Sequence, residues 1–223
     1  LSVFSDYSNI KPTDRQESHM ALDITRLVHP GHTALVTQEC QTGIIGDKAV
    51  FPALAAECTE LIPAIAALTA AARTSGVPVL HCLAVRRPDG LGANRNARML
   101  AAAAKAPVQL TPGSPEAALH PGIGAHKEDL TFERLHGLGP MADTGLASVL
   151  RNLGVTTIVG VGVSLNVGML NFAMDAVNSG FQFVIPRECV AGFPAAYAEA
   201  VLANTLGAIA TVTTTKEITT AWA

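Results

Sequence analysis

Several residues able to move a proton or hold a charge stand at the ends of apolar runs in this sequence. Glu39 stands one residue beyond the run Thr33 to Thr37, after Gln38, and opens the stretch Glu39-Cys40-Gln41. A carboxyl at the end of an apolar strand is desolvated, which favours its protonated form and suits a general acid, unless Arg134 lies close enough to hold the charge. The plainer alternative is a strand-end acid in solvent. Arg134 and His136 follow the run that ends at Glu133, and both have ordinary readings as surface charge and loop histidine. A fourth run leads into Gly162-Val163-Ser164-Leu165-Asn166-Val167-Gly168. There a glycine in a first helical turn lets a ligand approach closely, and free N–H groups can hold an anion. The alternative for Gly168 is tight packing of helix on sheet. Together these positions supply one carboxylate, cations and a helix start, the composition of a small-anion site.

Such residues converge only if the strands that carry them are parallel neighbours. Short runs rich in β-branched residues alternate with segments of helical period, the signature of a parallel sheet covered by helices. The reading is an α/β, three-layer Rossmann-like fold with about six parallel strands. The strands are expected at Thr33 to Thr37, Val77 to Cys82, Asp129 to Glu133, Thr157 to Val163, Phe181 to Ile185 and Ala210 to Thr213. Helices are expected over Leu54 to Arg73, where Pro63 must kink or restart the helix, and over Ala195 to Leu206. A further helix, capped by Asp143 or Thr144, carries Leu146, Val149, Leu150 and Leu153. Another, capped by Asn166, is expected to carry Val167, Leu170, Met174 and Val177 on one face. Parallel sheets bind ligands beyond the carboxyl ends of their strands, which is where the candidate residues lie. Arg86 to Pro112 fits the rhythm least and reads as an excursion that covers a site, bringing Arg86, Arg87 and Asn94 as weaker candidates for carboxylate recognition.

The 223 residues read as one body, with 49% apolar and 15% charged residues, rich enough for a large core. A net charge of −3, interspersed signs and 4% aromatic residues argue against nucleic acid as a partner. No apolar stretch reaches the roughly 20 residues of a membrane span, so no membrane partner is expected. Four cysteines without short paired spacing fit reduced thiols and a cytoplasmic protein, with Cys58 and Cys189 as small buried hydrophobes. The scattered histidines predict no metal, and the absence of phosphate-loop or dinucleotide fingerprints predicts no ATP or NAD cofactor. Residues 1–20 are polar and unperiodic. They read either as an N-terminal arm or as a remnant of cloning ahead of Met20, with the domain proper over 21–223.

From Thr33 to about Thr215 the sequence resembles the isochorismatase-like superfamily, also called the cysteine hydrolases. Glu39-Cys40-Gln41 is similar to the family's Asp-x-Gln motif, with Glu39 in the place of the catalytic acid. Thr157 to Ala176 resembles the nucleophile motif, with Gly168 where amide-cleaving members carry cysteine. The family lysine falls at Leu135 by direct count or at Arg134 with one gap; Arg134 is preferred, because it supplies a cation beside the acid. The resemblance also implies a cis peptide at Val163-Ser164 and a homo-oligomer, dimer or tetramer; the strand ends and the covering loop offer Ser164, Asn166, His136, Arg87 and Cys82 as candidate substrate-binding residues. Without a thiol at 168 there is no acyl-enzyme there, whereas isochorismatases of the superfamily share this glycine and cleave a vinyl ether without a covalent intermediate. The expected function is therefore hydrolysis of a small anionic metabolite by a non-covalent, acid-catalysed route. Two alternatives stay open: amide or ester hydrolysis by a relocated thiol, Cys40 or Cys82, and a catalytically inactive member that binds a ligand or partner.

Overall fold

A computed structural model of the chain describes residues 23–223, so the expectation for residues 1–20 lies outside the described residues. Six parallel strands form one sheet in the order β3-β2-β1-β4-β5-β6: β1 Thr33–Gln38, β2 Val79–Ala84, β3 Leu130–Arg134, β4 Thr157–Gly162, β5 Gln182–Pro186 and β6 Thr211–Thr213. This is an α/β Rossmann-like fold. β2 starts two residues later than the sequence reading, because Val77 N–H is spent on the Ala72 carbonyl at a helix end and Pro78 has no N–H to give the ladder.

Helices in chain order are α1 Ile24–Leu27, α2 Thr42–Ile45, α3 Pro52–Ala56, α4 Leu61–Thr74, α5 Arg98–Ala103, α6 Leu146–Asn152, α7 Leu170–Asn178, α8 Ala195–Ala200, α9 Gly207–Ile209 and α10 Thr215–Trp222. The stretch Leu54 to Arg73 holds the restart that Pro63 calls for: α3 ends at Ala56, α4 begins at Leu61, and Pro63 sits in the first turn of α4, where its missing N–H costs nothing. At the far end of α4, Gly76 turns left-handed and lets Val77 bond back to Ala72, closing the helix.

The sheet is covered on both faces, and β1 shows how. Leu35 faces a core built with Ile65, Leu68 and Trp222, while Ala34 and Val36 face another built with Leu146, Leu150 and Phe172. A strand buried on both sides must be apolar throughout, which is why the runs show no alternation.

α7 corrects an expectation. Its buried side chains are Phe172, Ala173 and Ala176, whereas Met174 and Val177 are about 40% exposed. A wide π turn, Leu165–Met169, precedes it and rotates the register, so the stripe read from Val167 does not face the core. Thr144, not Asp143, supplies the hydroxyl that accepts the Leu146 N–H at the start of α6, and Leu153 lies exposed beyond its end. The helix expected over Ala195 to Leu206 is α8 followed by a second wide turn, Val201–Leu206.

Candidate functional site

The strand order reverses at β1, with β2 on one side and β4 on the other, so a crevice opens beyond the carboxyl ends of these strands. Glu39 stands at that point. Its N–H still bonds to the Cys82 carbonyl, extending the ladder by one step, but its backbone has turned left-handed, with φ of 52°. That conformation is uncommon outside glycine and recurs at functional sites. Gln41 pins the turn. Its amide donates to the Ala84 and Ala117 carbonyls and accepts from the Ala84 N–H, each bond 2.8 to 2.9 Å.

Arg134 ends β3, two strands away from β1, and pairs across the sheet with Ala84. The methyl side chain of Ala84 leaves room for the guanidinium to pass over β2 and meet Glu39, and Arg134 Nη2 donates to Glu39 Oε1. Arg134 is only 5% exposed, yet its Nε and Nη1 have no hydrogen-bond partner among the described residues. Buried donors are ordinarily satisfied, so two open N–H groups beside a cavity invite an anionic ligand. Leu135, the other candidate for the family lysine position, is partly exposed and does not take the place beside Glu39. The condition under which Glu39 would keep its proton, a distant Arg134, is not met. Glu39 and Arg134 form a salt bridge on the cavity wall.

The cavity above this pair measures about 170 Å³. Glu39, Arg134, His136, Ser164 and Gly168 all line it, as do Arg86, Asn94 and Gln109 from the excursion between β2 and β3. Its walls are otherwise apolar, with Phe51 just before α3, Leu54 from α3, and Met99 and Leu100 from α5. The excursion read from Arg86 to Pro112 therefore does cover the site. It is tied down where Asn94 Oδ1 accepts the Gly137 N–H at 2.9 Å and where Arg86 N–H reaches the Leu110 carbonyl.

Gly168 is the tight point of the wall. A Cβ there would collide with Gln38 Nε2 and lie 3.2 Å from the Leu138 carbonyl oxygen and 3.3 Å from that of Val163. Gln38 is fully buried, donates to the Leu138 carbonyl at 3.1 Å and leaves its Oε1 without a partner among the described residues. Sequence reasoning missed this residue, because a glutamine one step before the motif acid carries no signal of its own. The peptide Val163-Ser164 is cis, as the resemblance implies. The N–H groups of Leu165, Val167 and Met169 already bond to the carbonyls of Ala191 and Ser164, so this turn offers fewer free donors than expected.

Three predicted residues stand outside the cavity. Asn166 points the other way, donating to the Phe193 carbonyl at 3.1 Å. Arg87 faces solvent and pairs with Asp89, because consecutive residues of an extended segment point apart and Arg86 takes the inward position. Cys82 is 1% exposed and belongs to the core, as does Cys40 at 0%. Burial pushes the Cys82 thiol up to about 12, and burial pushes Cys40 well above the usual thiol value. Neither is a thiolate within reach of a ligand, which removes the support for a relocated nucleophile. Among the described residues, no group of three or more His, Cys, Asp or Glu side chains is placed to hold a metal ion.

A second acid–cation cluster lies at the opposite end of the same strands. Asp129, just before β3, accepts from Arg73 at 2.6 and 3.1 Å, from the His126 N–H at 2.9 Å, and meets His81 Nε2 at 3.1 Å. The other nitrogen of His81 bonds to Thr37 Oγ1 at 2.8 Å. Burial pushes His81 below its usual value, its bond to Asp129 opposing. Burial pushes Asp129 up, but the bonds from Arg73, His81 and His126 outweigh that and hold it below the usual carboxylate range.

Residues 33–217 match the family model described as the isochorismatase domain. A search of curated proteins finds no match. Among solved structures, the chain is similar to a cysteine hydrolase from Pseudomonas syringae pv. phaseolicola, with 21% identity, 88% of this chain and 94% of the other covered, and a TM-score of 0.76. An isochorismatase family protein from Burkholderia thailandensis is 24% identical over 86% of this chain and 96% of its own, with a TM-score of 0.73. A pyrazinamidase from Pyrococcus horikoshii, solved with zinc, is 17% identical over 82% and 99%, with a TM-score of 0.68. At these identities the solved structures speak for the fold.

Proposed function

The chain belongs to the isochorismatase family, and from that premise we propose that it hydrolyses a small anionic metabolite without a covalent intermediate, by proton transfer from Glu39. The observation that carries the reading is the Glu39–Arg134 pair on the cavity wall, with two further Arg134 N–H groups unpartnered. A substrate carboxylate that engages Nε and Nη1 competes with Glu39 for the guanidinium charge. Glu39, relieved of its partner, then takes up a proton and delivers it. With an enolpyruvyl ether the proton goes to the terminal CH₂ carbon, making a methyl group and an oxocarbenium ion. Water adds to the oxocarbenium carbon that bears the ether oxygen, its proton returns to Glu39, and the hemiketal collapses to an alcohol and pyruvate. The sequence needs no thiol and no metal, and no cysteine lines the cavity. The four free, buried thiols support a cytoplasmic setting, and the exposed Met174 and Val177 of α7 support a homo-oligomer, dimer or tetramer.

A second reading, a ligand-binding member without turnover, draws on the same pair, since a carboxylate neutralised by arginine is not poised as an acid until something displaces it. Incubation with isochorismate in D₂O separates the two. The proposal expects pyruvate carrying one deuterium in its methyl group, at a rate insensitive to thiol alkylation. No pyruvate would remove isochorismate as substrate and leave the binding reading in place.

A further inference from the structure

We infer that a second, cationic pocket adjoining the reaction cavity binds a dianionic oxyanion of the phosphate monoester class, carried by the far end of the substrate. This pocket, about 420 Å³, shares Arg86 and Gln109 with the reaction cavity and adds Arg87, Lys105 and Thr111. No carboxylate is among its lining residues. The nearest acid in sequence, Asp89, spends both oxygens on Arg87 at 2.6 and 3.0 Å and one of them also on the Leu91 N–H. Arg86 and Lys105 have no acidic partner among the described residues.

A second unpaired guanidinium crowds the first. The Nη2 atoms of Arg95 and Arg86 lie 2.6 and 3.1 Å from the point a Cβ on Gly90 would occupy, and Gly90 has a φ of 68° that admits the approach. Two unpaired guanidiniums held together in one turn repel each other unless an anion lies between or beside them. One arginine matches a carboxylate, whereas Arg86 and Lys105 together, the Arg87 charge being met by Asp89, match the two charges of a phosphate dianion. Because Arg86 borders both cavities, a molecule whose apolar body fills the first places its anionic end in the second.

Linking this anion to the substrate rests on the acid-catalysed reading; binding itself does not. Isothermal titration of the full chain with phenyl phosphate, and with benzyl alcohol as the neutral control, tests the site. Phenyl phosphate is expected to bind at least about tenfold tighter than benzyl alcohol, with affinity falling as salt rises. The double variant Arg86→Met/Lys105→Met is expected to lose that preference, and Glu39→Gln to keep it. Equal binding of the two probes, or full binding in the double variant, would overturn the inference. Phosphate-dependent binding without any turnover would leave the site standing and count against the acid-catalysed reading alone.

Discussion

The same sheet holds two acid–cation clusters, and they differ in what is left unsatisfied. At the amino end of β3, Asp129 has its oxygens filled by Arg73, His81 and a backbone N–H, and His81 is bonded on both nitrogens. At the carboxyl end, Arg134 is as deeply buried but uses one N–H group on Glu39 and leaves two open toward a cavity. A closed network contributes to holding the sheet together; the open one of similar composition leaves donors without partners among the described residues, beside a cavity. Burial and charge alone do not distinguish the two clusters; the tally of unused donors does.

The largest effect expected on stability comes from the closed cluster. Asp129→Ala leaves His81 and Arg73 without their shared partner and is expected to lower unfolding free energy by about 3–5 kcal/mol, measured by urea denaturation. A cost under about 1 kcal/mol would erase the contrast with Glu39.

A smaller effect is expected inside the cavity wall. Gly168→Ala forces Gln38 to move and is expected to cost about 1–3 kcal/mol, part of which returns when Gln38→Ala is added. Gly168→Cys is expected to pay the same penalty and to gain no amide hydrolysis. Ready amide hydrolysis by that variant would show the wall to be more yielding than its packing implies.

The pH dependence sharpens the comparison further. His81 and Asp129 both have folded values below their unfolded ones, so the folded chain binds fewer protons than the unfolded chain over that range. Stability from His81 is complete above its unfolded value of about 6.5 and is lost as pH falls through the lowered folded value. Asp129 adds a further loss in stronger acid, below the unfolded aspartate value of about 3.9. Denaturation midpoints across this range should fall with pH, and Asp129→Ala should remove the lower limb. A midpoint that rises on acidification would contradict the assignment.

Much of this was legible in the residues. Two-sided burial writes the inner strands β1, β2, β4 and β5 as near-continuous apolar runs, while the exposed edge strands β3 and β6 stand within a residue of the shorter runs read for them. Glu39 could be found because it breaks such a run, and Arg134 because it ends another. The sequence favours Arg134 over Leu135 on charge alone; its reach to Glu39 depends on β3 lying beyond β2, with Ala84 as the gap between them. What stayed hidden depends on which way a side chain turns: Asn166 toward Phe193, Cys82 into the core, Gln38 into the space beside Gly168. α10 went unread although Thr214 and Glu217 form a capping box, because a stretch rich in threonine has the composition of a strand.

The central claim, that the open pair does chemistry and the closed one does not, is tested most directly by Glu39→Gln measured in two ways on one preparation. Pyruvate release from isochorismate should fall by about 10²–10⁴-fold, while the unfolding free energy stays within about 1 kcal/mol of the parent. Undiminished release, or a loss of stability as large as that expected for Asp129→Ala, would contradict the account.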